Sequence, residues 1–127
     1  MISAIEMTNQ IDTFFDAWQL ESREERLEKI SDSVASSIVY VDPRTPEPIT
    51  GISALGEYIG LFSANAPGWS AKVVKRDTIA GMTRATVAFS GKGPDGTEQS
   101  QLGQYFVEFD GDLISRMVGF VGVGAPA

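Results

Sequence analysis

The sequence lacks both histidine and cysteine, and these two absences remove several classes of chemistry. Without cysteine the chain can form no disulfide and can offer no thiolate nucleophile. Without histidine it can have no imidazole base, no Ser–His–Asp triad and none of the common histidine-containing zinc sites. Any catalysis must therefore use carboxylates, phenols, indoles, amides, hydroxyls, lysine or arginine. We expect neither a metal nor a cofactor.

Basic residues are also scarce: the 127-residue chain has 10 lysines and arginines against 17 acidic residues, which gives a net charge of -7. The basic side chains at Lys72, Lys75, Arg76 and Arg84 are scattered and form no stripe. This balance argues against nucleic acid or an anionic membrane as a partner. No apolar run approaches the ~18 residues of a membrane span, and the first residues do not resemble a signal peptide. We therefore expect a cytoplasmic protein.

The composition is otherwise that of an ordinary soluble globule, with 43% hydrophobic and 21% charged residues. A chain of this length can bury a sizeable core. No repeat, low-complexity block or linker divides it, so we predict a single domain over residues 1–127.

Two of three predicted helices are strongly apolar on one face. The first carries, at helical spacing, Met7, Ile11, Phe14, Phe15 and Trp18. The third follows Gly51 and carries Ile52, Leu55, Ile59 and Phe62. Gly56 and Gly60 also lie within the third helix, where glycine costs stability. Their presence therefore indicates close packing against a neighbour.

The second predicted helix is largely charged. Ser22 and Glu25 have the spacing of a capping box, which predicts a helix start at Arg23. The narrow buried stripe of this helix consists of Leu27, Ile30 and Val34. Its outer face consists of Arg23, Glu24, Arg26, Glu28 and Lys29. We expect that charged face to be solvated.

From Trp69 onward the apolar period changes from helical to strand-like. We predict antiparallel strands near residues 70–80, 83–91, 98–110 and 113–122. One face of the third strand comprises Gln101, Gly103, Tyr105, Val107 and Phe109. The other face comprises Leu102, Gln104, Phe106 and Glu108. Because Glu108 is charged, this second face should meet water or a partner subunit, and Tyr105 should then point inward.

Together with a strand that ends at Asp42, these elements predict an α+β fold. We expect a curved, mainly antiparallel sheet with three helices packed on its concave face, forming a cone with a pocket. The predicted core contains Met7, Ile11, Phe14, Leu27, Ile30, Leu55, Ile59, Val87 and Val107. Leu102 and Phe106 give the outer face an apolar area that a monomer rarely exposes, so we expect a homodimer through that face.

The strand that ends at Asp42 carries the strongest candidate for chemistry. Ile38, Tyr40 and Asp42 alternate along it and share one face, and the prolines that follow hold the chain extended. If that face looks into the core, the Asp42 carboxylate lies beside a phenol at the edge of an apolar space. There it must be paired, solvated or protonated, and such groups often serve catalysis. A strand-end aspartate can also simply accept backbone N–H groups in an Asp-Pro turn.

A set of segments spread over the chain has a pattern found in one known family. The segments are the aromatic first helix, the strand end Tyr40-Val41-Asp42-Pro43, the spacing from Asp42 to Gly51, the helix over residues 51–59 and the hairpin over residues 106–112. On these segments the sequence resembles the nuclear transport factor 2-like superfamily, in particular its ketosteroid isomerase and SnoaL-like polyketide cyclase branch. The resemblance implies that Asp42 is a base that moves a proton beside a carbonyl group. Phe14 stands at the position of a tyrosine of the family, and Gln104 or Tyr105 at that of its second oxyanion donor.

The sequence leaves three classes of function open. The favoured one is a cofactor-free isomerase- or cyclase-type enzyme for a small, largely apolar ligand with a carbonyl group, in which Asp42, Tyr58 and Tyr105 are catalytic. Its partner would be a small apolar or amphipathic molecule, and its substrate-binding residues would be Phe14, Trp18, Tyr40, Trp69, Gln104 and Phe109. The second class is a noncatalytic ligand-binding or protein-interaction domain of the same fold. The third, an epoxide-hydrolase or dehydratase relative, needs paired acids with an arginine, or histidines, around a water, and the absent histidines exclude the dehydratase pattern.

Overall fold

The structure, a computed structural model, describes residues 4–20, 22–45, 47–65, 68–80, 82–93 and 95–122, without the side chains of residues 4–9, 63, 65 and 121. The described residues form three α-helices, Ala4–Asp16 (α1), Arg23–Ser33 (α2) and Ile52–Asn65 (α3), with a 3-10 turn at Ala17–Gln19. They also form six strands, Val34–Val41 (β1), Ile49–Thr50 (β2), Ser70–Ile79 (β3), Met82–Lys92 (β4), Glu98–Asp110 (β5) and Leu113–Val121 (β6).

All six strands belong to one sheet, in the order β2-β1-β6-β5-β4-β3. The predicted antiparallel meander of β3 to β6 is confirmed. The first strand joins this meander in parallel, beside β6, with Tyr40 opposite Met117. The short strand β2 pairs antiparallel with β1 at the edge of the sheet and was not predicted. The sheet is therefore mixed and mainly antiparallel.

Three irregularities in strand pairing curve the sheet. They lie between Val34 and Val39 of β1, between Val73 and Lys75 of β3 and between Glu108 and Phe109 of β5. Such irregularities bend a strand and increase its local twist. The helices pack on the concave face: α1 contacts β3 and β6, α2 contacts β1 and β6, and α3 contacts β1 and β2. This arrangement confirms the predicted α+β cone.

The core between helices and sheet contains most of the residues predicted for it. Its fully buried members include Ile11, Phe14, Ile30, Leu55, Ile59, Val87 and Val107. The side chain of Met7 lies outside the described residues. Leu27 is only half-buried, on the flank of α2. Val34, predicted as the last residue of the helical stripe, is buried as the first residue of β1 because α2 ends at Ser33.

Arg26 corrects the prediction of a fully solvated charged face on α2. It is only 7% exposed, and its Nη2 donates to the carbonyl oxygen of Leu20 at 2.9 Å. The prediction placed Leu27 at the centre of the buried side of α2, whereas in the structure the residue before it, Arg26, is the more deeply buried one. Room for both side chains comes from α3: a Cβ at Gly60 would lie 2.9 Å from Nη1 of Arg26, and one at Gly56 would lie 2.5 Å from Cδ2 of Leu27. The predicted close packing at both glycines is confirmed.

Two helices begin where local signals placed them. Ser22 caps α2, because its Oγ accepts the N–H of Glu25 at 3.3 Å. Gly51 precedes α3 with φ +89°, a conformation that favours glycine, and its carbonyl oxygen accepts the N–H of Leu55 at 3.2 Å. None of the helices in the described ranges combines the length and apolar character needed to cross a bilayer.

Candidate active site

Asp42 lies directly after β1 in a tightly bonded turn. Asp42 and Tyr40 are both buried, with exposures of 7% and 0%. The backbone carbonyl of Asp42 accepts the N–H of Thr45 at 3.1 Å and its hydroxyl at 3.0 Å, while the N–H of Asp42 donates to Thr45 Oγ1 at 3.2 Å. The N–H of Arg44 donates to Asp42 Oδ1 at 2.8 Å. These bonds fix the carboxylate at the edge of the core.

The second carboxylate oxygen, Oδ2, accepts two phenol hydrogen bonds. Tyr40 donates to it at 2.8 Å and Tyr58, from α3, donates to it at 2.6 Å. The hydroxyl oxygen of Tyr105, from β5, lies 3.3 Å from that of Tyr40. Because Tyr40 gives its hydrogen to Asp42, Tyr105 is the donor in this pair. The chain has 3 tyrosines, so all of its phenols belong to one hydrogen-bonded group, in which two bind the Asp42 carboxylate and the third binds Tyr40. We call Asp42, Tyr40, Tyr58 and Tyr105 the phenol cluster.

The environment keeps all three phenols protonated. Burial raises the pKa of Tyr40 well above its ordinary value, and the neighbouring Tyr105 and Asp42 raise it further. The pKa of Tyr58 is raised mainly by burial and, to a smaller extent, by its hydrogen bond to Asp42. The pKa of Tyr105 is raised mainly by its burial. At neutral pH the cluster therefore offers hydroxyl donors and no phenolate base.

The hydrogen bonds also decide which oxygen of Asp42 can take a further proton. A carboxylate has about four acceptor sites, two on each oxygen. Oδ2 uses both of its sites for Tyr40 and Tyr58. Oδ1 accepts the N–H of Arg44 among the described residues, which leaves one site. That remaining site on Oδ1 is the acceptor position that the hydrogen bonds among the described residues leave open.

A cavity of about 500 Å³ opens beside the phenol cluster. Apolar side chains form most of its wall, including Trp18, Leu61, Phe62, Trp69, Phe89, Leu102 and Phe120. The polar part of the wall consists of Asp42, Arg44, Tyr58, Gln101 and Tyr105. No three acidic side chains in the described part of the chain lie close enough to hold a metal ion. A cavity of this volume and lining suits a largely apolar small molecule.

Glycines in the sheet make room for two aromatic wall residues. A Cβ at Gly119 of β6 would lie 2.6 Å from Cε1 and 2.9 Å from Cζ of Tyr105. The Trp69 ring occupies the space that a Cβ at Gly91 of β4 would need. Tyr105 and Trp69 can therefore lie against the strands only because these two positions have no side chain.

Of the sequence-predicted site residues, Asp42, Tyr58, Tyr105, Trp18 and Trp69 line the cavity. Three elements bring Asp42, Tyr58 and Tyr105 together. β1 leads into Asp42, α3 supplies Tyr58 and β5 supplies Tyr105. Trp18 belongs to the 3-10 turn that follows α1, and Trp69 immediately precedes β3.

Phe14 and Tyr40, also predicted as substrate-binding residues, lie behind the cavity wall. Phe14 is buried in the core, with its ring centroid 5.0 Å from that of Phe15 and 6.0 Å from that of Tyr40. Tyr40 supports Asp42 through its hydroxyl. Helical spacing gives the direction in which Phe14 points but not its depth, and Trp18, one turn later on the chain, is the residue that reaches the cavity.

Gln104 and Phe109 are likewise absent from the cavity wall in the described structure. Side chains alternate along a strand, so Gln104 faces the outer side of β5 when Tyr105 faces the phenol cluster. Phe109 lies near the end of β5, opposite Ile114 and beyond the register shift, where it packs half-buried against the core. Of the two candidates Gln104 and Tyr105, only Tyr105 therefore faces the cavity.

Several wall residues had not been singled out from the sequence. Phe89 alternates with Val87 on the inward face of β4, and Gln101 shares a face with Tyr105, so strand alternation could have identified both. Phe62 belongs to the apolar stripe of α3 and had been assigned only to packing. Arg44 has no periodic signal, and only its place in the turn after Asp42 brings it to the cavity.

Comparisons with known proteins bear on the fold. Neither a protein-family model nor a curated protein matches the sequence. Among solved structures, a candidate isomerase of the SnoaL-like family from Agrobacterium tumefaciens has a TM-score of 0.78 at 22% identity, with 94% of this chain and 99% of that chain covered. A candidate SnoaL-like polyketide cyclase from Jannaschia sp. CCS1 has a TM-score of 0.76 at 9% identity, with coverages of 95% and 90%.

A candidate ketosteroid isomerase from Kribbella flavida has a TM-score of 0.68 at 19% identity, with 97% of this chain and 82% of that chain covered. At such identities the likeness is one of fold. The resemblance inferred from the sequence is confirmed at that level: the chain has the α+β cone fold shared by SnoaL-like, ketosteroid isomerase-like and nuclear transport factor 2-like proteins.

Proposed function

We propose that this protein is a cofactor-free enzyme that moves a proton next to a carbonyl group of a largely apolar small molecule, as an isomerase or a cyclase does. One observation carries the proposal: a buried carboxylate, Asp42, forms part of the wall of an apolar cavity and is surrounded by phenols that stay protonated. A fixed base and a neutral hydroxyl donor on one wall are what proton abstraction beside a carbonyl requires.

In the proposed reaction, Asp42 Oδ1 takes a proton from the carbon next to the ligand carbonyl. The electron pair of the broken C–H bond forms a carbon–carbon double bond, and the carbonyl oxygen becomes an enolate oxygen. In an isomerase, Asp42 returns the proton to another carbon of the same conjugated system. In a cyclase, the enolate carbon attacks a second carbonyl of the ligand, and Asp42 returns the proton to the new alkoxide.

Tyr105 is the proposed donor to the enolate oxygen. Its hydroxyl bond to Tyr40 is long, at 3.3 Å, so a rotation of the hydroxyl hydrogen toward a ligand oxygen gives up little. Tyr58 is proposed as a positioning residue, because its short bond of 2.6 Å holds Oδ2 of Asp42. Tyr40 holds the same oxygen from the core side.

The experiment measures exchange of the acidic carbon-bound hydrogens of 2-tetralone, an apolar bicyclic ketone, for deuterium in heavy water by NMR. We expect the wild-type protein to accelerate the exchange. Asp42→Asn should lower the enzymatic rate by ~10²-fold or more, because it preserves the shape and removes the base. Tyr105→Phe should lower it by ~10²-fold, the usual loss for one oxyanion donor.

Binding is measured in parallel, since both tryptophans of the chain, Trp18 and Trp69, line the cavity and their fluorescence reports an occupant. The affinity for 2-tetralone should stay within ~3-fold in Asp42→Asn, so that the loss of rate is a loss of chemistry. Wild-type protein that binds 2-tetralone without accelerating exchange would contradict the proposed reaction for this ligand class. Exchange that is equally fast in Asp42→Asn would contradict the role of Asp42.

A noncatalytic ligand-binding domain is the second candidate, and the turn bonding of Asp42 is the observation that favours it. Arg44 N–H and Thr45 both bind Asp42 in a way that a purely structural aspartate would also show. In that case a thermal-shift screen of steroids, polyketide fragments and terpenoids finds stabilising ligands, and Asp42→Asn changes no reaction rate. The epoxide-hydrolase reading needs paired acids, and Asp42 is the only acidic side chain of the described cavity wall.

A further inference from the structure

The two charged side chains of the described cavity wall, Asp42 and Arg44, differ in how their charges are used. The carboxylate of Asp42 already accepts hydrogen bonds from two phenols and a backbone N–H. Arg44 is exposed and also lines the cavity, which places it at the opening to solvent. Among the residues that the structure describes, no carboxylate forms an ion pair with its guanidinium.

The position of Arg44 at the opening is fixed by its backbone. Its N–H is bonded to Asp42 Oδ1 at 2.8 Å, and the flanking Thr45 is bonded twice to the carbonyl of Asp42. Arg44 shares the cavity wall with Asp42, Tyr58 and Tyr105, so its side chain borders the same cavity as the phenol cluster. Burial raises the pKa values of Tyr58 and Tyr105, and the charge of Arg44 offsets a small part of that effect on both.

We propose that Arg44 binds a carboxylate of the ligand, so that the substrate class is an apolar carbonyl compound, such as a fused-ring one, that carries a carboxylate at one end. For the reaction itself this inference rests on the function proposed above. The apolar wall would hold the body of the ligand, and Arg44 would pair with its charge at the opening. The planar guanidinium matches a carboxylate with two parallel hydrogen bonds, which makes arginine specific for this group.

The charges of the wall favour a singly charged ligand. Arg44 is the one cationic side chain of the wall in the described ranges, and the chain as a whole has a net charge of -7. A phosphate ester, with up to two negative charges, would leave charge unpaired beside Asp42. A carboxylate is neutralised by a single guanidinium. The same residue thus supports the base through its backbone and orients the ligand through its side chain.

The test uses two probes of nearly equal shape, anthracene-2-carboxylate and the uncharged anthracene-2-carboxamide. Their rings absorb where tryptophan emits, so quenching of Trp18 and Trp69 reports binding. We expect the wild-type protein to bind the carboxylate about tenfold or more tightly than the carboxamide, in line with one charge-assisted hydrogen-bonded pair. Arg44→Gln should remove that preference, and Arg44→Lys should retain part of it because it keeps the charge without the planar fork.

The matched control is Arg23→Gln, which makes the same change of net charge at an exposed residue of α2 outside the cavity wall. This variant should keep the wild-type preference. Added salt should weaken binding of the carboxylate and leave that of the carboxamide unchanged. Equal affinities for the two probes in the wild-type protein, equal losses for both probes in Arg44→Gln, or binding of neither probe would each overturn the proposal.

These outcomes are separate from those of the proposed reaction. Exchange of 2-tetralone involves no carboxylate, so a protein that accelerates exchange but shows no preference for anthracene-2-carboxylate would retain the proposed function and refute the role of Arg44. If the wild-type protein prefers the carboxylate, Arg44→Gln loses that preference and the wild-type protein accelerates no exchange, the role of Arg44 is retained and the proposed reaction is refuted.

Discussion

The two faces of the β5–β6 hairpin carry similar residues but have different surroundings. On the inner face Tyr105 lies over Gly119, is 4% exposed and has a partner for its hydroxyl. On the outer face Phe106 and Phe120 pack edge to face, with ring centroids 5.8 Å apart. Phe120 also reaches the cavity wall near the end of β6, yet it is 55% exposed. The helices of the described residues cover the inner face alone. An aromatic residue in this sheet is therefore not by itself a sign of the core.

The outer face also carries an apolar groove. A groove of about 380 Å³ runs along it, lined by Met82, Phe106, Glu108, Arg116, Val118 and Phe120. In the hairpin register Glu108 is opposite Arg116, so the apolar strip is bordered by charges of both signs. We propose that two copies of the chain associate through this face. In such a symmetric pair the apolar strip of one copy packs against the same strip of the other copy, and charged residues border the strip on both copies.

The largest expected effect comes from a substitution on the outer face of the hairpin. Phe106→Asp places a charge in the apolar groove and should weaken association by ~10²-fold or more, because burying an unpaired charge in an interface is costly. Sedimentation velocity at micromolar concentration should change from dimer to monomer while circular dichroism stays that of a folded protein. Ile79→Asp is the control, since Ile79 is 78% exposed and lies outside the groove. A wild-type monomer at micromolar concentration would contradict the proposed dimer.

The next largest effect comes from a substitution on the inner face of the hairpin. In Gly119→Ala the new methyl group collides with the Tyr105 ring, whose nearest atom would be 2.6 Å away, so the ring must move. We expect the free energy of unfolding to fall by about 1–3 kcal/mol, which is typical of overpacking a buried site. Urea unfolding measures this change. An unaltered midpoint, together with unaltered exchange of 2-tetralone, would mean that Tyr105 tolerates displacement.

A smaller effect comes from the phenol cluster when the pH is raised. The pKa values of Tyr40 and Tyr105 are raised in the folded protein, whereas in the unfolded chain they return to about 10. Below about pH 10 both states keep these protons, so the phenols add no pH dependence. Above it the unfolded chain loses protons that the folded chain retains, and the free energy of unfolding should fall by up to about 1.4 kcal/mol per pH unit for each phenol.

Urea unfolding from about pH 8 to about pH 11 checks this slope. Tyr40→Phe should make this pH dependence shallower by the contribution of one phenol, up to about 1.4 kcal/mol per pH unit. Tyrosinate absorbance supplies a second readout, because the chain has 3 tyrosines and all of them belong to the cluster. Ionisation of the native protein with the ordinary pKa of tyrosine would contradict the raised values.

Local sequence signals predicted most of the fold. The bounds of β3, β4, β5 and β6 lie within about two residues of those predicted, because turns and alternation are local properties. The parallel pairing of β1 with β6 could not be read from the sequence in this way, since it joins distant segments and depends on how the sheet closes. The strand β2 has two residues, too few to show a period.

For the candidate site, strand alternation was the informative signal. It placed Tyr40 and Asp42 on one face and Tyr105 inward, and these residues meet in the structure. Tyr58 reaches the same carboxylate from α3, on the flank of its predicted apolar stripe, and no pattern in the sequence states which oxygen it binds. Arg26 was misplaced because its burial depends on the space beside Gly60 of another helix.

The position of β1 between β2 and β6 has a consequence for the order of folding. The phenol cluster needs β1, α3 and β5, and β1 joins the β3–β6 meander through β6, the last strand among the described residues. Contacts between such distant segments are slow to form because a long loop must close first. We expect the hairpins of β3 to β6 to form early and the environment of Asp42 to form last. In stopped-flow refolding, the change in tyrosine absorbance that accompanies burial of the phenols should be slower than recovery of the strand signal in circular dichroism. Recovery of both signals at the same rate would refute this order of folding.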